Sequence, residues 1–261
     1  MPLSLCPACR LPACSVITNL PCEECISSLL ISPEICPRCL GFACPTETCD
    51  RPWLAIDGEA GRFRFDSVTA AYLSVGPGAR VLKSWKTSPS PSLTRFLIAQ
   101  IRAALTAYSS DRPLFLIPVP QSGPRRWELD GGSTLRLCTM IREARKNHND
   151  RVLDLLEVGA RTSAQAMSRG NERYSRRAPI SPRGDSPEEL DLESEDFQAN
   201  PSLVLVDDFL TSGSTLRAAA KATREKLEAL GGFGGRNARL DVFVLGFRPA
   251  LFGIHIDRDV G

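Results

Sequence analysis

The chain of 261 residues is poor in histidine, with only two, and has no apolar run long enough to cross a bilayer. The stretch from Leu114 to Val119, interrupted by Pro118, falls far short of a span, so no membrane insertion is expected. The opening residues, Met-Pro-Leu-Ser-Leu-Cys-Pro-Ala-Cys, carry neither a basic start nor a long apolar core. No secretory leader is read there, and a cytoplasmic location is the expectation. His148 and His255 both sit in polar stretches, a poor setting for a general base. Net charge is also scarce, at +2 from 32 Lys and Arg against 30 Asp and Glu. Apolar residues are not: a 43% hydrophobic, 24% charged chain excludes wholesale disorder. The length suits one large domain or two unequal ones.

The small net charge conceals segregation. Residues 59–180 hold 20 Lys and Arg against 10 Asp and Glu, whereas residues 181–200 hold 1 against 7. A basic middle of this kind attracts phosphate-bearing partners. The acidic stretch, poor in apolar residues, reads as a flexible insertion.

Cysteine is abundant and confined. Nine of the ten lie within residues 6–49, and only Cys138 falls outside. Cys6-Pro-Ala-Cys9 is followed by Cys22-Glu-Glu-Cys25, then by Cys36-Pro-Arg-Cys39, Cys44 and Cys49. A C-x2-C turn aims two thiolates at one point, and two such turns complete a tetrahedral zinc site. A disulfide scaffold would need an oxidising compartment, and a redox C-x-x-C would need a βαβ setting; the sequence indicates neither. Pairing neighbours puts Cys6, Cys9, Cys22 and Cys25 in one site and Cys36, Cys39, Cys44 and Cys49 in another, with Cys14 spare. A cross-braced arrangement of the first and third knuckles stays open. Either way one or two saturated, structural Zn2+ sites are expected in a head spanning residues 1–52.

Residues 60–258 read as an α/β domain. Strands are expected at Ser67 to Leu73, Leu114 to Val119, Leu203 to Val206 and Leu240 to Phe247. A helical turn is expected over Arg80 to Trp85. A longer helix begins at Ser90-Pro91, with Leu93, Phe96, Leu97, Ile101, Leu105 and Tyr108 on one face. Two more helices are read from Ser133 to Arg145, with Leu135, Leu137, Met140 and Ile141 inward, and from Ser214 to Leu230. The last helix and its flanking strands form a parallel βαβ unit.

The sharpest signal is the segment Leu203-Val-Leu-Val-Asp207-Asp208-Phe-Leu-Thr211-Ser212-Gly213-Ser214-Thr215. A buried strand leads to two adjacent carboxylates, then to a small hydroxyl-rich loop and a helix N-terminus. Such a loop offers backbone N–H groups and hydroxyls to a phosphate, and Gly213 allows close approach. The carboxylates suit sugar hydroxyls or hydrated Mg2+. Helix capping alone would need only one of these hydroxyls.

This segment resembles the phosphoribosyl-pyrophosphate (PRPP) signature of type I phosphoribosyltransferases, in which four apolar residues and two acids precede Thr-Thr-Gly-x-Thr. Joined to a cysteine-knuckle head, it is similar to the ComF family, associated with natural competence and DNA uptake. Trp85-Lys86 matches that family's Leu-Lys-Phe-like helix end, and Leu116-Ile-Pro-Val-Pro120 its Pro-Val-Pro strand end. Gln165 and Arg173 fit a later stretch. The chain departs from the family at Arg125-Arg126-Trp127-Glu128-Leu129-Asp130-Gly131 and at Arg176. The resemblance implies a type I phosphoribosyltransferase-like parallel sheet that binds Mg2+ and PRPP through Asp207, Asp208, Thr211, Ser212, Gly213, Ser214 and Thr215. It also implies a cation such as Lys86 near the departing pyrophosphate, and partners in DNA uptake. Salvage of 6-oxopurines is disfavoured, because those enzymes carry an acid where Thr211 stands. The competing reading is a non-catalytic phosphate-ligand and single-stranded DNA binding module, with Arg125, Arg126, Arg142, Arg145 and Lys146 as phosphate contacts.

Overall fold

Where apolar residues run without a break the chain forms buried strand, and where they recur every third or fourth residue it forms helix. The computed structural model describes residues 6, 8, 21–32, 34–37, 65–108, 112–121, 132–158, 180–184, 201–211, 213–229 and 239–248. In chain order the elements are α1 (Glu23–Ser27), β1 (Leu30–Ile31), β2 (Ser67–Leu73), α2 (Gly76–Thr87) and α3 (Pro91–Ala104), which runs into a 3-10 turn (Leu105–Ala107). They continue with β3 (Leu114–Pro118), α4 (Gly132–Arg145), β4 (Arg151–Val152), β5 (Leu156–Val158) and β6 (Ile180–Pro182). Last come β7 (Ser202–Leu210), α5 (Ser214–Ala229) and β8 (Leu240–Phe247).

Six strands form one sheet in the order β1-β2-β8-β7-β3-β4, parallel throughout except for β1. The fold is therefore mixed α/β with a mostly parallel sheet, as the apolar runs suggest. Every residue of β3 and β8 is buried, as is every residue of β7 but Phe209. Strands wrapped on both faces have no solvent side to alternate with. One face carries α2, α3 and α4, whose Leu82, Leu97 and Ile141 meet Leu116, Val204 and Phe243. The other carries α5 and the β5-β6 hairpin, whose Leu216, Ala219 and Leu156 meet Ile117, Leu205 and Val244.

Ser90 caps α3 as expected, its hydroxyl accepting from the Leu93 N–H at 3.2 Å. Leu93, Leu97 and Ile101 are fully enclosed, and Phe96 packs at the margin. On α4, Leu137, Met140 and Ile141 are buried, but Leu135 is only half-buried. Two expectations change. The strand read as Leu203 to Val206 continues through both acids to Leu210, because β8 supplies partners all the way: Asp207 lies opposite Val244, Phe209 opposite Gly246 and Leu210 opposite Phe247. Ser181 and Pro182, assigned to the flexible acidic insertion, instead belong to β6, which pairs with β5. The Lys226 ammonium holds the end of this strand by donating to the Arg183 carbonyl at 2.7 Å. Residues 185–200 lie outside the described residues.

The cysteine-bearing segment does not stand apart from the sheet. β1 pairs antiparallel with β2, Leu30 opposite Leu73 and Ile31 opposite Tyr72. Cys6 and Cys25 share a core cluster with Val81, Leu82 and Trp85 of α2. Gly78 makes this docking feasible: a Cβ there would lie 2.7 Å from the Ser28 carbonyl oxygen.

Candidate functional site

Connections leave the neighbouring strands β3 and β7 in opposite directions. From β3 the chain crosses through α4 on one face to β4, and from β7 through α5 on the other face to β8. The carboxyl ends of these two strands form the topological switch point, the place where open α/β sheets commonly hold ligands. Asp207 and Asp208 lie at the end of β7, facing Gln121 just beyond β3 and Ser133 in the first turn of α4.

Asp208 is buried, with 4% of its surface exposed, and its Oδ2 gathers three donors. Gln121 Nε2 donates at 2.6 Å, Ser133 Oγ at 2.7 Å, and the Lys86 ammonium forms an ion pair. Gln121 and Ser133 also bond each other. One carboxylate thus joins α2, α4, β7 and the exit of β3. Lys86 additionally lies 5.6 Å from the centre of the Phe209 ring, a cation–π distance. Phe209 can take that position because its neighbour across the ladder, Gly246, has no side chain; a Cβ there would be 2.8 Å from the ring. Asp207 is also nearly enclosed, and its Oδ1 accepts from the Asp208 backbone N–H at 2.8 Å.

Past β7 the chain turns through Thr211 and Gly213 into α5. Gly213 has φ +70°, which L side chains rarely adopt, and its carbonyl accepts the first helical bond, from Arg217 N–H at 3.0 Å. Gly213 thus occupies the capping position itself, leaving Ser214 and Thr215, both half-buried, in the first turn. Ser212 lies outside the described residues. The structure brings Lys86 and Asp208 together across the chain and sets Asp207, Thr211, Gly213, Ser214 and Thr215 along one strand–turn–helix. Sequence reasoning missed Gln121 and Ser133 as partners of Asp208. The available signal was their position, immediately after one buried strand and at the start of the following helix.

Three cysteines of the head meet. Ligand atoms of Cys6, Cys22 and Cys25 all lie within 4.8 Å of one another, and the Cys22 N–H donates to Cys6 Sγ at 3.2 Å. Sulfurs around tetrahedral zinc sit about 3.8 Å apart for Zn–S bonds of about 2.3 Å, so the three thiolates fit such an ion. Cys36 is buried but is not part of this group. Cys9, Cys39, Cys44, Cys49 and the spare Cys14 lie outside the described residues.

Several ionisable groups outside this site are buried in the fold. Burial pushes the Asp241 carboxyl above its ordinary range, against the opposing effects of Ser67, donating at 2.6 Å, and the Arg239 guanidinium. Burial likewise raises Tyr72, Tyr108 and the Cys138 thiol, keeping all three neutral. Arg145, read as a surface cation for DNA, instead pairs with the fully buried Asp150 at 2.9 Å and donates to the Arg112 carbonyl at 2.8 Å. Arg142 and Lys146 are exposed; Arg125 and Arg126 lie outside the described residues. His148 is exposed, while Gln165, Arg173, Arg176 and His255 lie outside the described residues. Among the described residues no helix is long and apolar enough to cross a membrane. Comparison with family models, curated protein sequences and solved structures returns no match.

Proposed function

We propose that this chain is a type I phosphoribosyltransferase-like protein of the ComF kind, binding PRPP or a related phosphorylated ribose at the end of β7. The observation that carries the reading is the meeting of Lys86 with Asp208, the second of two adjacent acids, at the switch point, beside a glycine-led helix start. In this reading the turn 211–215 receives the 5′-phosphate. Gly213, at φ +70°, and the first turn of α5 supply backbone N–H groups for such an anion. Asp207 and Asp208 face the ribose hydroxyls, and Gln121 and Ser133 keep Asp208 fixed while it does so. Lys86, held between Asp208 and the Phe209 ring, waits on the side from which an anionic leaving group would depart. Mg2+, when bound with the ligand, would supply positive charge to the pyrophosphate. Catalysis, where an acceptor base is present, would rest on electrostatic stabilisation of a cationic ribose rather than on a histidine.

The decisive test is titration with Mg2+–PRPP by calorimetry, followed by pyrophosphate release across a panel of nucleobases. Binding is expected in the wild type and is expected to be lost in an Asp207→Asn, Asp208→Asn variant that still melts cooperatively. Absence of PRPP binding by the wild type refutes the reading. PRPP binding without turnover on any base, with salt-dependent binding of single-stranded DNA, would favour the non-catalytic module and its place in DNA uptake.

A further inference from the structure

Helix α4 starts beside Asp208 at the carboxyl end of the sheet and runs back to the amino end, where its last turn meets the starts of β3 and β4. Cations gather at this corner from separate parts of the chain. Arg102, on α3, donates from Nε to the Ala144 carbonyl at 3.2 Å. Arg112, just ahead of β3, offers its carbonyl to Arg145 Nη2 at 2.8 Å. Arg142 lies in the last turn of α4, and its carbonyl accepts from the Lys146 N–H at 2.9 Å. Arg151 opens β4, next to Asp150 and opposite Phe115. Arg102, Arg112, Arg142, Lys146 and Arg151 are all exposed. Among the described residues that frame the corner the one exposed acid is Glu143, whereas Asp150 is buried and pairs with Arg145. No described carboxylate forms an ion pair with Arg102, Arg112, Arg142 or Lys146. Lys146 also has φ +57°, the left-handed conformation that glycine usually takes just past a helix. The chain thus keeps a cation at this spot against a backbone preference.

What this corner lacks narrows its partner. The exposed large apolar side chains among the described residues, Leu30 and Ile31, lie on β1 at the opposite edge of the sheet. A protein partner or a lipid surface would want apolar area at the centre of the contact, and the corner offers none. A single nucleic-acid strand would want aromatic faces on which to stack its bases. Among the described residues of the corner, Tyr108 and Phe115 are buried and no Phe, Tyr or Trp is exposed. Exposed guanidinium groups, in contrast, match phosphate oxygens two at a time, and a duplex backbone presents those oxygens densely and regularly. We propose that this corner is an interaction surface for the phosphate backbone of a nucleic-acid duplex, held without base readout. It lies at the amino end of the sheet, whereas Asp207 and Asp208 lie at the carboxyl end, so it stands whether or not the sugar-phosphate reading holds.

Fluorescence anisotropy over a range of salt concentrations tests it, with a DNA duplex of about 20 base pairs, the matching RNA duplex and the single strand as probes. Phosphatidylserine vesicles serve as the lipid arm. The wild type is expected to bind at least one duplex more tightly than the single strand or the vesicles, and the two duplexes tell DNA from RNA. Its log affinity should fall against log salt with a slope of about −3 to −5. Arg142→Gln with Lys146→Gln should weaken duplex binding at least about tenfold and reduce that slope by about 2. Arg80→Gln with Lys83→Gln removes the same charge from exposed positions on α2 and should change affinity by less than about twofold. Lys146→Gly should lose about three- to tenfold in affinity while its melting temperature does not fall, because glycine suits the backbone there. Asp207→Asn is expected to weaken PRPP binding and leave duplex binding unchanged, which separates failure of one proposal from failure of the other. Absence of duplex binding by the wild type overturns the inference, as does preference for the single strand or for vesicles. Equal losses in the two double variants overturn it as well. Should the Arg142, Lys146 double variant not fold, Lys146→Gly decides the matter, and unchanged affinity in it refutes the surface.

Discussion

Asp208 illustrates how much one side chain can organise when it is buried. Three donors from three separate parts of the chain converge on one of its oxygens, so its position is fixed before any ligand arrives. Gly246 acts on the same site at one remove, through the space it leaves for Phe209. Replacing Gly246 by alanine would force a methyl against the ring and against Leu82. A loss of about 1–3 kcal/mol is expected, read by denaturant unfolding, with Lys86 displaced from its ring. If stability is unchanged and Phe209 has not moved in the variant's structure, the steric account is wrong. Of these residues, the acids and Lys86 were legible in the sequence, the first as a local pattern and the second through a family resemblance. Gln121, Ser133 and Gly246 were not, because each acts through a contact between segments far apart in the chain.

Among elements, the strands were the most legible and β7 the most instructive. Ser67 to Leu73 and Leu240 to Phe247 match the apolar runs residue for residue. β7 extends four residues past its apolar run, since hydrogen bonding to β8 continues where hydrophobicity stops. An acid at the end of an apolar run therefore need not mark where a strand ends. The loop after α4 follows the opposite logic. There Asp150 accepts from the Leu114 N–H at 2.9 Å and from Arg145, tying the start of β3 to the end of α4. Asp150→Ala would take the carboxylate from the buried Arg145 guanidinium and leave the Leu114 N–H without its acceptor at a strand start. It should cost about 3–5 kcal/mol in equilibrium unfolding. A loss under about 1 kcal/mol would mean that the pair is solvated.

For the whole molecule, the cysteine knuckle and the sheet are energetically joined. Cys6 and Cys25 pack in the same cluster as Trp85, and Ser28 rests on Gly78 at the opposite end of α2 from Lys86. If the three thiolates hold Zn2+, removing it with a chelator should lower the melting temperature of the entire domain. Proteolysis should then open near α2 as well as in the head; unchanged protection of α2 would show that the head melts alone. Cysteine spacing announced a metal site but not this attachment, because nothing in C-x2-C says which surface the knuckle will cover.

The sheet order has a consequence during synthesis. β2 and β8 are neighbours, yet the Ser67–Asp241 hydrogen bond spans 174 residues, and the central strand β7 also emerges late. At translation rates of about 5–20 residues per second, β2 must wait about 10–35 s for its parallel partner. Throughout that interval β2 presents an apolar, unpaired edge, as β3 does from its own synthesis until β7 emerges, the condition that invites pairing with other chains. The early helices α2 and α3, which pack against this sheet, would shield those strands in the nascent chain until the middle of the sheet arrives.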